Sequence, residues 1–357
     1  MQAQVIKKID FTGQILYVGL DVHKNSWHVT VLSENICLKS FSQPPSPLKL
    51  FTFLNENFPG ASYRSAYEAG FCGYAYHREL NKLGVNNIVI NPADIPKSNK
   101  DTHFKTDKRD SRVIAEALRS GLLTGIYVFD QEQEEFRSLF RSRLALAKDI
   151  RKTKGRIKSF LAYRTVDIPS EFIRNPRSLK YIEWLKSLEF GLQNPRFILD
   201  QLIDRMLYLL EQRRLLETSL RNYARNKDKA LFRFLRLVPG IGPITSIGLM
   251  AELGSIDRFK HFKKLASYVG LVPRTHQSGE SDGIGSITYR HNSYLRPLLI
   301  EASWQAVRTD PALLKYYLDK CRTMNPKKAI VKVARKLLCR IYFVMKQRTE
   351  YKRGIYS

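Results

Sequence analysis

Five short apolar runs and three helical patterns alternate along residues 15–118, and their order restricts the fold sharply. Residues 15–20 (ILYVGL) end at Asp21, residues 27–32 (WHVTVL) follow, and residues 36–41 make a third run. The spacers are short and carry turn formers, Asn25 and then residues 33–35, so an antiparallel meander of three strands is predicted. Pro44, Pro45 and Pro47 then open a helix over residues 48–57. Residues 63–67 read as a fourth strand ending at Glu68, the segment AGFCGYAYHREL as a helix, and residues 85–90 (VNNIVI) as a fifth strand. The stretch KTDKRDSRVIAEAL, residues 105–118, places Val113, Ile114, Ala117 and Leu118 at the spacing of a buried helical stripe.

Three strands, helix, strand, helix, strand, helix is the order of a ribonuclease-H-like domain, a mixed sheet with helices on both faces. The acids follow that order. Asp21 and Glu68 close the first and fourth strands, and Asp107 and Asp110 open the helix after the fifth. In an open sheet ligands gather at the carboxyl ends of the strands, so three separate segments deliver four carboxylates to one edge. Taken alone, Asp107 and Asp110 among Lys105, Lys108, Arg109 and Arg112 suit a surface salt-bridge cluster as well as a metal. With Asp21 and Glu68 beside them, a divalent-metal site is the expected reading. Four carboxylates without a His or Cys cluster favour Mg²⁺ or Mn²⁺ over zinc, and two ions suit phosphodiester chemistry. His23 stands close to Asp21 in sequence, but a lone histidine is more often structural, and it is left out of the expected site.

A chain of 357 residues suggests two or three domains. The composition shifts place them at 1–130, a long-helix segment at 131–230, and 231–357. Sixty Lys and Arg against 33 Asp and Glu leave a net charge of +27, which repels itself unless a polyanion neutralises it. Nucleic acid is therefore the leading partner. No run of eighteen apolar residues and no leader pattern is present, so a cytoplasmic, nucleoid-associated protein without a membrane partner is expected. The four cysteines are scattered without a CxxC pair, which fits free thiols and not a disulfide frame.

From residue 132 to 163 the chain reads as a long basic helix. After a loop, Leu199, Leu202, Met206, Leu209, Leu216, Leu220 and Tyr223 follow a 3–4 spacing with Arg213 in a polar seat. This is a coiled-coil or helical-hairpin seam, equally suited to a pair within the chain or to a dimer. In LVPGIGPITSIGLMAELG, Gly240 and Gly242 mark a tight turn between two helices. That pattern fits either a helix-hairpin-helix whose amides hold phosphate or an ordinary helix turn. Residues 277–285 read as a flexible glycine loop, with Arg274 before it and Arg290, Asn292 and Arg296 after it. Residues 320–353 hold twelve basic residues and one acid. Ile330, Val333, Ala334, Leu337, Leu338 and Ile341 form the buried stripe there, and the opposite face is either a phosphate contact or simply solvated.

YVGLDVHK around Asp21, YEAG around Glu68, KTDKRDSRVIAEAL, LVPGIGPITSIGLMAELG, RFKHFKKLASYVGLVPRTHQSG and LRPLLIEASW occur here in one order. In that order the chain resembles the DEDD transposases of bacterial insertion sequences, a family described as bridge-RNA-guided recombinases. The resemblance covers residues 15–121 and 231–344. It implies a Holliday-junction-resolvase-like N-terminal domain whose four acids hold divalent metal. It also implies a C-terminal domain in which the serine of the SG pair, Ser278, attacks DNA. Ser281 and Ser286 share that loop and are its rivals. It further implies donor and target DNA, a structured guide RNA, and dimers that assemble into a tetramer. Where relatives read I-S-K-x-G-N, this chain reads Ile287-Thr288-Tyr289-Arg290-His291-Asn292, leaving Arg290 as the substitute cation. The residues themselves leave two other readings open: a hydrolytic junction endonuclease, and a nucleic-acid-binding protein without activity.

Overall fold

The first three strands form the meander that the short spacers predict. β1 (Ile15–Val22) pairs antiparallel with β2 (Trp27–Leu32), which pairs antiparallel with β3 (Cys37–Gln43). The computed structural model describes residues 10–96, 107–174, 178–191, 193–278 and 281–352, with only the backbone of residues 174, 275–278 and 281–286. Helix α1 (Pro47–Asn57) begins where proline fits the first turn and the Ser46 side chain accepts from the Lys49 amide. β4 (Ser62–Glu68) then runs parallel to β1. Helix α2 (Ala75–Lys82) leads to β5 (Asn86–Ile90), parallel to β4, and α3 (Asp107–Arg119) follows. The result is a mixed five-stranded sheet of order β3-β2-β1-β4-β5.

Strand alternation divides the β1 side chains between two layers. Leu16, Val18 and Leu20 enter a core with Leu50 and Leu54 of α1 and Leu80 of α2. Tyr17 turns the other way and packs with Ala115 of α3, while Ala66 of β4 packs with Ile114. Gly19 lies on this second face, and α3 crosses directly over it. A Cβ there would stand 2.0 Å from the Ser111 carbonyl oxygen and 2.5 Å from the Ala115 nitrogen. Only glycine permits so close a passage.

The remainder is helical apart from one hairpin: α4 (Gln131–Tyr163), α5 (Ser170–Arg174), α6 (Leu179–Ser187), α7 (Gln193–Leu237), α8 (Pro243–Leu253), α9 (Phe262–Val269), β6 (Pro273–Ser278), β7 (Ser281–Ile287), α10 (Leu295–Thr309), α11 (Pro311–Cys321) and α12 (Pro326–Gln347). α4 and α7 run antiparallel within the chain. Phe136 stacks on Tyr223 with ring centroids 4.6 Å apart, Arg143 bonds Glu217 at 2.8 Å, and Ile150 and Ile157 share a core with Leu199 and Leu209. The 3–4 seam is thus filled from within the chain, and Arg213 lies 3.8 Å from Glu217. α7 breaks at Asp228, whose non-helical backbone lets its carboxylate accept from the Leu231 amide and restart the helix.

Compactness draws one boundary, between Met1–Val128 and Phe129–Ser357. None falls near residue 230, because Phe136, Phe140, Leu220 and Ala224 sit in the same core as α8, α10 and α12. All six residues of the α12 stripe are buried there. The segment read as a flexible loop is instead the β6–β7 hairpin, with Ser278 paired to Ser281. Its glycines and polar residues conceal a ladder made by backbone groups. Among the described residues, no helix is long and apolar enough to cross a membrane.

Candidate metal centre

Asp21 lies on the α3 face of β1, two residues beyond Gly19. The β1–β4 register runs to Leu20↔Tyr67, so the next residues, Asp21 and Glu68, stand side by side at the carboxyl ends of neighbouring parallel strands. Ala66 packs toward α3, and Glu68, two further on, shares that face. Helix α3 begins at Asp107, one turn before the Ser111 carbonyl that rides over Gly19. The same close crossing therefore brings Asp107 to Asp21.

The side chains that meet are Asp21, His23 and Asp107, with one ligand atom from each all within 4.8 Å of one another. His23 Nε2 is 3.1 Å from Asp21 Oδ2 and 3.7 Å from Asp107 Oδ1. Asp21 is the sheltered member, its side chain 18% exposed against 63% for Asp107. Burial raises the Asp21 pKa above the ordinary carboxylate value. His23 opposes that rise, and the charges of Asp107 and Asp110 add to it. Asp110 thus bears on the site electrostatically, although its carboxylate and that of Glu68 lie outside the three-residue group. A sheltered Asp21 carboxylate beside the exposed Asp107 carboxylate and an imidazole nitrogen offers a donor set whose charge suits a divalent cation.

His23, near Asp21 in sequence but outside the expected site, joins it here. It heads the β1–β2 turn, where its amide donates to the Ser26 carbonyl at 3.1 Å. The signal lay in its place two residues after Asp21, since strand alternation sends i and i+2 to one face.

Ser278 closes β6 at the turn of the hairpin. Its side chain, with those of Ser281 and Ser286, lies outside the described residues.

Residues 18–163 match the DEDD model of IS110-type transposases, described as "Transposase", and residues 233–318 match the "Transposase IS116/IS110/IS902 family". Together the two matches cover more than half of the chain. The chain is an IS110/IS116-family transposase.

The chain is 26% identical to the transposase for insertion sequence element IS1533 of Leptospira borgpetersenii, over 81% of this chain and 85% of that protein. It is 28% identical to the putative transposase y4qE of Sinorhizobium fredii, over 67% of this chain and 57% of that protein. A pilin gene-inverting protein of Moraxella bovis shares 34% identity over 34% of this chain and 39% of its own length. Family membership makes DNA the transposase's substrate and implies use of a divalent metal.

The other residues singled out in this transposase are placed unevenly. Lys105 lies outside the described residues, Lys108 is exposed on the first turn of α3, and Arg109 is half-buried. Gly240 has φ +78°, and a Cβ there would meet the Ala302 carbonyl oxygen of α10 at 2.2 Å. Helix packing therefore requires this glycine without any phosphate. Gly242 is the N-cap of α8, with open space where its Cβ would be. The Arg274 guanidinium lies 4.1 Å from the centre of the Tyr289 ring, and Arg290 is exposed. Arg296 donates to the Thr288 carbonyl at 2.9 Å.

Asn292 is engaged inside the protein. Its carbonyl oxygen accepts from the amides of Tyr294 and Leu295, and its amide donates to Glu252 at 3.1 Å and to the Tyr268 hydroxyl. Glu252 is fully buried and gripped by Arg141 at 2.7 and 2.9 Å, with Arg137 at 3.4 Å. Asn292 thus links the base of the hairpin to a buried ion pair.

Proposed function

We propose that this transposase cuts and rejoins insertion-sequence DNA with a ribonuclease-H-like catalytic unit, and that Asp21, Glu68, Asp107 and Asp110 hold Mg²⁺ or Mn²⁺ there, as two ions. The observation that carries this reading is the meeting of Asp21, His23 and Asp107 at the carboxyl edge of the sheet, imposed by the passage of α3 over Gly19. When bound, the cations neutralise the phosphoryl oxygens and ease departure of the leaving oxygen. The protein's own part is to hold the acids in register. His23 sits within hydrogen-bond reach of Asp21 and orients its carboxylate.

Ser278 is assigned as nucleophile. Its hydroxyl oxygen forms a bond to phosphorus as the bond to one sugar oxygen breaks. The hydroxyl proton passes to a base, and the released sugar oxygen takes up a proton. The phosphoserine ester conserves the bond energy that a second sugar hydroxyl recovers on rejoining. A relative named for inverting a pilin gene supports rejoining, since an inverted segment must be resealed. Net charge of +27 supports a large polyanion load. The guide RNA and the tetramer built from dimers follow the family resemblance, and the turn at Gly242 and the cations Arg274 and Arg290 are phosphate contacts in this reading.

The test is denaturing electrophoresis of reactions with element-end DNA. A covalent protein–DNA adduct that maps to Ser278 and disappears in Ser278→Ala is expected. Complete strand exchange by Ser278→Ala would remove the serine from the mechanism. An adduct mapped to Ser281 or Ser286 would move the role to that residue.

A further inference from the structure

Beneath the first turn of α3 runs a chain of side-chain hydrogen bonds that the cutting and rejoining chemistry does not use. Ser42 Oγ lies 3.0 Å from His28 Nδ1, and His28 Nε2 lies 3.1 Å from Ser40 Oγ. Ser40 Oγ lies 3.1 Å from Thr30 Oγ1, and Thr30 Oγ1 lies 2.8 Å from Ser111 Oγ. Ser111 in turn donates to the Lys108 carbonyl at 3.1 Å. That last bond fixes the direction of all the others. The Ser111 proton is given to Lys108, so Thr30 donates to Ser111, Ser40 to Thr30, His28 Nε2–H to Ser40, and Ser42 to His28 Nδ1. Every hydroxyl then gives one bond and receives one, apart from Ser42 at the start of the chain.

The geometry locates what the chain controls. Thr30 is the β2 partner of Gly19, and Thr30 and Ser111 are both fully buried. Lys108 lies between Asp107 and Asp110. The chain starts on the outer strand β3 and ends on a carbonyl in the turn that carries two of the acids. Apolar packing of Ile114 and Ala115 sets how near α3 comes to the sheet, but apolar contacts are non-directional. The hydroxyl pair adds a directional tie one turn from Asp107, which fixes how far the helix slides and turns along β1.

We propose that Thr30 and Ser111 are positioning residues for the cation site, holding the first turn of α3 so that Asp107 meets Asp21. This rests on the metal reading above. Groups that orient metal ligands typically alter metal affinity by about 10–100-fold when removed. Thr30→Val keeps the shape of the side chain and deletes the hydroxyl, while Ser111 retains Lys108 as acceptor.

The experiment titrates Mn²⁺ alone into the full-length protein by calorimetry, and follows amide exchange of residues 107–111 in the metal-free protein. Thr30→Val should weaken Mn²⁺ binding by about 10-fold or more and speed exchange in that turn. Thr30→Ser, which restores the hydroxyl, should bind as wild type. Ser111→Ala loses the Lys108 bond as well as the Thr30 bond, so it should weaken Mn²⁺ binding at least as much as Thr30→Val, and the double variant should bind no worse than Ser111→Ala alone, because the Thr30–Ser111 bond is already gone. Wild-type Mn²⁺ affinity in both Thr30→Val and Ser111→Ala, whatever their melting temperatures, would reduce the pair to ordinary packing and overturn the proposal. If Asp21→Asn also binds Mn²⁺ as wild type does, the metal reading itself fails and the positioning role falls with it.

Discussion

Replacing Gly19 by alanine tests the geometry on which the site depends. The added methyl would lie 2.0 Å from the Ser111 carbonyl oxygen, 2.5 Å from the Ala115 nitrogen and 2.9 Å from the Ala115 Cβ. Two of these are backbone atoms in mid-helix, so no side chain can swing aside. Bringing the nearest contact to even 3.0 Å requires α3 to retreat by about 1 Å, and the whole helix must move because it is rigid. Overpacking of this kind typically costs about 1–3 kcal/mol. Asp107 and Asp110 move with the helix while Asp21 stays on the sheet, and a misplacement of about 1 Å at a reacting centre can cost about 100-fold in rate. Urea denaturation and cleavage of element-end DNA at saturating Mg²⁺ measure the two effects. Both losses are expected, with activity falling further than stability alone explains at a temperature where the variant is folded. A Gly19→Ala protein with wild-type stability and wild-type cleavage would refute the close crossing and the site built on it.

Asp21→Asn removes a carboxylate that burial and two like charges disfavour, so in chelator the variant should melt at or above the wild-type temperature while cleavage is lost; a lowered melting point would contradict the crowding. Burial acts to raise the Glu252 pKa, but the bonds and charge of Arg141, then Arg137 and Asn292, outweigh it and leave the carboxyl below its ordinary value. The stability Glu252 contributes is therefore present above the ordinary glutamate pKa and is lost as pH falls toward the depressed folded value. Glu252→Gln should cost about 3 kcal/mol or more at pH 7, by stranding Arg141, and should show a shallower loss than wild type as pH falls below the ordinary glutamate value in denaturant titrations. Gly240→Ala combines φ +78° with a 2.2 Å approach to the Ala302 carbonyl oxygen, so it should destabilise the helical unit by about 2 kcal/mol or more, measured by calorimetry.

Much of the sheet edge that carries the candidate site is legible in the sequence because strand order and acid position are written in local patterns. The runs ending at Asp21 and Glu68 became β1 and β4, and the helix opening at Asp107 became α3. The Ile330–Ile341 stripe, with its 3–4 spacing, is buried as the period requires. What escaped depends on partners distant in sequence. Gly19 looks like any glycine in a strand until α3 is laid across it. His23 gains meaning only when Asp107, eighty-four positions later, arrives beside it. The α7 seam specified an apolar partner but not whose, and α4 of the same chain fills it. Asn292 looked free to meet phosphate because its cap on α10 and its bond to Glu252 are invisible in one dimension.

A cation shared by Asp21 and Asp107 would be visible as bound manganese. Crystals of the full-length protein grown with Mn²⁺ should give an anomalous difference peak between the Asp21 and Asp107 carboxylates, beside His23, and that peak should be absent from Asp107→Asn crystals. An ordered α3 with no peak there, or a peak undiminished in Asp107→Asn, would show that the two carboxylates do not share a cation.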